Sequence, residues 1–246
     1  MNGLLVRIGV DHSYGKWNAP VDPVSGRFIY LPIPENAGTG FHPDLERRYE
    51  EFVPSLKSFC TDHRRCLHND LRFPAQLLDC SVHLDPDFRH LTYGDDGARR
   101  GTAMKDMAHG DFLAFYAGLR PISPCEHKLV YALIGLYLVD TVIPVASVPQ
   151  DRWHQNAHTR KSKRGATDIV VTAQRGRSGR LEGCLPIGEW RNGAYRVTQE
   201  MLDAWGGLSV KDGYIQRSIV PPRFTDPARF LAWFEHQRGV LVERNN

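Results

Sequence analysis

The chain has 246 residues, of which 41% are hydrophobic and 24% charged, with a net charge of +3. That length can bury a self-sufficient core, and that balance excludes both wholesale disorder and a uniformly cationic coat. The longest apolar run, residues 129–139, is far short of the roughly 20 residues of a membrane span. The N-terminus has no charged leader ahead of an apolar stretch, so a cytoplasmic protein with no membrane partner is expected.

Residues 4–10 are rich in aliphatic side chains and read as a strand. A polar and aromatic loop covers 11–26. Residues 27–33 read as a second strand, stopped by Pro32 and Pro34 and free to pair with the first. Residues 44–63 have helical character, with Leu45, Tyr49, Phe52 and Val53 on one face and a break or restart at Pro54. A short helix is expected over 72–78 and an extended polar segment over 81–93. After a turn at Gly110-Asp111 come a strand over 112–116 and a proline-bearing loop over 119–127. Residues 129–145 read as one long bent strand or two, with Gly135 permitting a bend or a close approach. Further strands are expected at 168–173, 183–187 and 240–243, and helices at 197–205 and 226–237. The last helix starts well, with Asp226 as N-cap and Pro227 behind it.

No repeat or clean linker interrupts residues 1–246, so they read as a single domain. Strands clustered around short helices predict an α+β fold: a curled mixed sheet, or a barrel core with peripheral helices. The five cysteines (Cys60, Cys66, Cys80, Cys125, Cys184) form no Cys-x-x-Cys pair and read as reduced, mostly buried thiols.

Phosphate loops, dinucleotide fingerprints, nucleophile elbows and His-Glu-x-x-His zinc helices are all missing. Four clusters of polar and aromatic residues stand in their place. The first is Asp11, Tyr14, Trp17, Asn18 and Asp22, a set suited either to stacking a flat ring and bonding its edge or to Asx turns that fold the loop on itself. The second is His83-Leu84-Asp85, with Asp95 behind it. Residues two apart on a strand share a face, so His83 and Asp85 can reach one metal, with His127, His154 or His158 as third ligand. Because this spacing is common by chance, the cluster is read first as a hydrogen-bonding site, and no metal ligand is assigned. The third joins Tyr116 and Arg120 to Glu126 and His127, a cation-rich turn with a candidate general acid–base pair. The fourth is Asn156, His158 and Arg160, residue types that read base edges and phosphates, at the head of a basic stretch over 152–191. Lys211 stands in a later small-residue turn.

Several strings resemble one known family: Leu5-Val6-Arg7-Ile8-Gly9-Val10-Asp11 with Trp17-Asn18-Ala19-Pro20, His83-Leu84-Asp85-Pro86-Asp87-Phe88, Phe115-Tyr116-Ala117-Gly118-Leu119-Arg120-Pro121, Asn156-Ala157-His158-Thr159-Arg160 and Trp205-Gly206-Gly207-Leu208-Ser209. They are similar to the nucleotide modification associated domain 3 family, bacterial and phage proteins associated with DNA base hypermodification. The resemblance implies a nucleotide or DNA partner, alongside other DNA-modification enzymes, but brings no catalytic set and no cofactor. A weaker likeness, carried by Gly110-Asp111, Phe115-Tyr116 and residues 134–139, is to PUA-like barrels. The leading expectation is a factor of base modification that binds a nucleotide or flipped base in a pocket built from all four clusters, with Glu126 and His127 as catalytic residues. The alternatives are a non-catalytic PUA-like reader of modified bases and a metal-dependent oxygenase using His83 and Asp85.

Overall fold

The computed structural model describes residues 1–13, 15–62, 71–98, 100–216 and 220–246. In chain order the strands are β1 (Gly3–Arg7), β2 (Pro20–Val21), β3 (Ile33–Pro34), β4 (Val82–His83), β5 (Thr92–Asp96), β6 (Phe112–Pro121), β7 (Val130–Pro144), β8 (Asp168–Ala173), β9 (Gly179–Pro186), β10 (Gly188–Arg191), β11 (Ala194–Val197) and β12 (Leu241–Val242). The α-helices are α1 (Val53–Asp62), α2 (Ala75–Leu78), α3 (Ala157–Arg160), α4 (Gln199–Trp205) and α5 (Pro227–His236).

A mixed sheet of eight strands organises the chain, with central order β1-β6-β7-β8-β5; β2 joins β6, and β9 joins β7 and β12. β1 runs parallel to β6, while β6 and β7 are antiparallel. The sheet curls but forms no closed barrel among the described residues. Curvature concentrates in β7, whose pairing shifts register against β6, β8 and β9. At Gly135 an added Cβ would stand 2.6 Å from the ring of Phe88 and 2.8 Å from the carbonyl of Gly179, so a close approach fixes the glycine there.

Alternation along β1 and β6 divides two cores. Leu4, Val6, Leu113, Phe115 and Ala117 enter the core that holds α1 and the 28–31 segment. Leu5, Phe112, Ala114 and Tyr116 face the other core, roofed by Trp205 of α4 and by Phe230 and Phe234 of α5. Covered on both faces, these strands read as near-continuous apolar runs. α5 begins as its sequence dictates, with the Asp226 side chain accepting the N–H of Arg229 and Pro227 just behind it.

Some expectations need correction. Residues 27–33 do not form a strand beside β1. Phe28, Ile29, Tyr30 and Leu31 are buried, but Pro32 and Pro34 lack the donors a ladder needs. The segment meets the first one through the N–H of Val10 on the Leu31 carbonyl, 2.7 Å away. Strand β6 continues to Pro121, past the expected end at 116, and the hairpin of β10 and β11 was not foreseen. Pro54 restarts rather than breaks the helix, because it sits in the first turn of α1, where no donor is required. Of the described cysteines only Cys184 is buried; Cys60 and Cys80 are half-buried and Cys125 is exposed. Cys66 and His63 lie outside the described residues. Among the described residues no helix is long and apolar enough to cross a membrane.

Candidate metal centre

His83 closes β4, and the extended chain after it puts Asp85 on the same side while Leu84 points into the core. Asp85 is fixed by the N–H of Gly94 on β5, which lies 2.9 Å from Oδ1 and 2.8 Å from Oδ2. Asn156 supplies a second tie, with Nδ2 3.3 Å from Asp85 Oδ1. The same Asn156 caps α3, its Oδ1 accepting the N–H of His158 at 2.9 Å. One side chain thus starts the helical turn that carries His158 and steadies the carboxylate that His158 faces.

The two histidines are oriented alike. His83 Nδ1 lies 2.9 Å from Glu35 Oε2, and His158 Nδ1 lies 2.8 Å from Asp168 Oδ2. Lys161 Nζ is 3.1 Å from the other oxygen of Glu35. Burial pushes Glu35 up, but the His83 hydrogen bond and the Lys161 ammonium outweigh it and hold the carboxyl at about 2. Asp168 is held below the usual carboxylate range chiefly by its bond to His158. Ionised carboxylates only accept, so each Nδ1 carries the proton. Burial pushes His83 down to about 4, against the pull of Glu35, and the ring is neutral near pH 7.

Both Nε2 atoms therefore turn toward Asp85 Oδ2, His83 at 3.8 Å and His158 at 3.7 Å. These separations are too long for hydrogen bonds. One ligand atom from each of His83, Asp85 and His158 lies within 4.8 Å of the others. Bonds of about 2.1 Å to a shared ion would bring such atoms to about 3.0–3.4 Å apart, so each histidine would close toward Asp85 by about 0.3–0.8 Å on binding. Asp85 itself is pushed well above the ordinary carboxylate range by burial, the Gly94 bond offsetting only part of that. A buried carboxylate facing two imidazole nitrogens is a donor set that could hold a divalent cation. The His83 and His158 side chains are 15% and 12% exposed, which leaves a path from solvent.

The family model for nucleotide modification associated domain 3 matches residues 2–211, the span that holds this centre. The chain belongs to that family. Neither the curated proteins nor the solved structures yield a match.

In this member of the nucleotide modification associated domain 3 family, hydrogen bonds and contacts join the described members of the four clusters into two groups. Asp85, His83, Asn156 and His158 meet. Asp95 lies next to Gly94 but bonds Tyr93 Oη at 3.1 Å, on the other face of β5. Arg160 turns inward, with Nη2 2.6 Å from Asp87 Oδ2 and 2.6 Å from the His154 carbonyl. There it is one half of a buried ion pair.

The first and third clusters meet each other. Asn18 Nδ2 donates to the Gly118 carbonyl at 2.7 Å, and Arg120 stands 5.9 Å above the Trp17 ring. Asp11 pairs with Arg7 at 2.5 Å and accepts the N–H of Ser13, while Asp22 accepts from Val24 and Ser25. Both fold their loop, which is the Asx-turn alternative. Tyr116 is sealed in the core against the Ile215 carbonyl, 2.7 Å from its hydroxyl. Glu126 is exposed, and neither it nor His127 bonds its side chain to a described residue; Lys211 is exposed in its turn. Tyr14 lies outside the described residues. The sequence reading missed Glu35, Asp168 and Lys161, which carry no motif of their own.

Proposed function

We propose that this protein is a metal-dependent enzyme of nucleotide or DNA base modification, with a divalent iron-class ion held by His83, Asp85 and His158. The observation that carries the reading is the approach of two Nε2 atoms to one buried carboxylate oxygen, each imidazole being backed by a carboxylate on Nδ1. Such carboxylate–histidine pairs orient metal ligands and raise their basicity. Two histidines and one carboxylate are the facial set of non-haem iron oxygenases, which leaves coordination positions open.

The reaction class that fits is hydroxylation of a C–H bond on the base. One atom of dioxygen enters the product, and the other leaves in water or in a carboxylate, with two electrons drawn from a reductant or a 2-oxo acid. Membership of the nucleotide-modification family supports a nucleotide or DNA substrate. Asn156 and Gly94 fix the carboxylate, Glu35 and Asp168 hold each ring with Nε2 inward, and Lys161 keeps Glu35 ionised.

The test is elemental analysis of protein purified without a histidine tag, together with mass spectrometry of nucleosides from host DNA with and without this gene. About one equivalent of iron, lost in His158→Ala, and a nucleoside present only with the gene are expected. Protein that neither binds iron nor gains activity from it sinks the reading.

A further inference from the structure

Away from the metal centre, a cavity of about 640 Å³ opens between α1, the 25–29 segment, β9 and the last residues of the chain. Arg27, Arg180 and Arg244 line it, together with Ser55 and Ser58, one turn apart on α1. A second cavity of about 380 Å³ shares Ser55, Arg244 and Asn246 and adds Arg47, Arg89, Glu51 and Glu243, with Arg47 paired to Glu51 at 2.6 Å on the surface. The two make one groove.

Arg180 is its unusual member. The residue is 5% exposed, yet no carboxylate of a described residue accepts from it. Its Nη1 donates to the Leu181 carbonyl at 2.9 Å, its Nε makes a long contact of 3.4 Å to the Arg244 carbonyl, and Phe28 lies beneath it at 5.1 Å. Glu182, an acid of the same cavity, is taken by Arg244 at 3.1 Å. A guanidinium removed from water without a counter-charge is costly, and it recovers that cost when an anion enters. Burial, then Arg244, pushes it down to about 10. Its neighbours are different. The Arg27–Asp62 pair, at 3.4 Å, is 59% and 46% exposed, and the Arg244–Glu182 pair is 59% and 50% exposed. Exposed pairs of this kind contribute little and open readily. The hydroxyls of Ser55 and Ser58 bond to no described residue.

We propose that this groove binds phosphate: Arg180 supplies a fixed buried charge, Arg27 and Arg244 swing from their carboxylates to clamp the group, and Ser55 and Ser58 donate to its oxygens. The phosphate comes from a nucleic-acid strand or from a free nucleotide. Continuity of the groove past Arg47 and Arg89 gives a strand a track. The inference is independent of the metal reading.

The test is fluorescence anisotropy of a labelled single-stranded oligodeoxynucleotide over a range of salt, with wild type and an Arg27→Ala/Arg244→Ala variant. Both substitutions fall on exposed pairs, so the fold is retained. The variant is expected to bind about tenfold more weakly, with a salt slope lower by about 2, and with unchanged metal content. Displacement of the oligonucleotide by a nucleoside monophosphate at equal ionic strength assigns the site to free nucleotides; resistance to displacement assigns it to a strand. No binding of either probe, or equal affinity and slope in the variant, overturns the proposal. Oligonucleotide binding by wild-type protein that takes up no iron would instead count against the metal reading alone.

Discussion

The ring of His158 occupies the space that a side chain on Gly94 would need. A Cβ at Gly94 would stand 2.5 Å from His158 Cδ2 and 2.7 Å from Asn156 Oδ1. Gly94 also gives its N–H to both oxygens of Asp85. One residue therefore sets the distance between β5 and α3 and anchors the carboxylate between the histidines. Gly94→Ala is expected to cost about 1–3 kcal/mol through overpacking and to weaken metal binding at least tenfold. Urea unfolding and metal titration check both; tight binding with full stability would show that the contact is slack.

Glu35 and Asp168 touch the histidines at Nδ1, away from the proposed ion site. Glu35→Gln and Asp168→Asn keep shape and remove the charge that fixes each Nδ1 proton. Each is expected to lower metal affinity by about 10–100-fold, while His158→Ala abolishes stoichiometric binding. Competitive chelator titration separates these classes, and equal effects from all three would remove the distinction between ligand and support.

Arg160 and Asp87 form a buried pair, their side chains 4% and 1% exposed. Arg160→Met removes the guanidinium from the buried Asp87 carboxylate, leaving it to His90 and Asn245, and is expected to destabilise by about 3 kcal/mol. By contrast, Glu126→Ala and His127→Ala lie in the turn after β6 and are expected to stay within about 0.5 kcal/mol of wild type, with iron content unchanged. Denaturation midpoints and elemental analysis decide. A harmless Arg160→Met would return that side chain to a ligand-reading role.

Asp111 gives the fold an acid-sensitive tie. Its carboxylate accepts the N–H of Asn2 at 2.6 Å and of Ala108 at 3.0 Å, holding the start of β1 beside β6. Burial pushes it up, but these bonds prevail and its pKa lies below the usual 3.8. A depressed carboxyl stabilises the fold above its unfolded value, and that contribution disappears as pH falls through the folded one. Asp111→Asn is expected to cost about 1–2 kcal/mol at pH 7 and to flatten the loss of stability below about pH 4. Thermal melts from pH 7 to 2.5 test this; parallel curves for the two proteins would exclude it.

Local chemistry made several elements readable. The apolar runs of β6 and β7, the Asp226-Pro227 start of α5 and the shared face of His83 and Asp85 all follow from periods and caps spanning a few residues. The β10–β11 hairpin was readable as well: Asn192 and Gly193, with φ of 52° and 74°, form the Asn-Gly turn of a tight hairpin, a signal the sequence reading passed over. Other features had no local cause. The third histidine was one of three candidates, and only the packing of α3 against β5 selected His158. Glu35 lies 48 residues before His83, so no spacing could link them. The partner of Arg160, Asp87, lies 73 residues before it and is brought to 2.6 Å only by the fold. Sequence determined the cores of β6 and β7 and the start of α5, because those choices rest on neighbours along the chain. The identity of the centre was decided by tertiary structure, because its charges are balanced only by partners that chain entropy keeps apart until the sheet has formed.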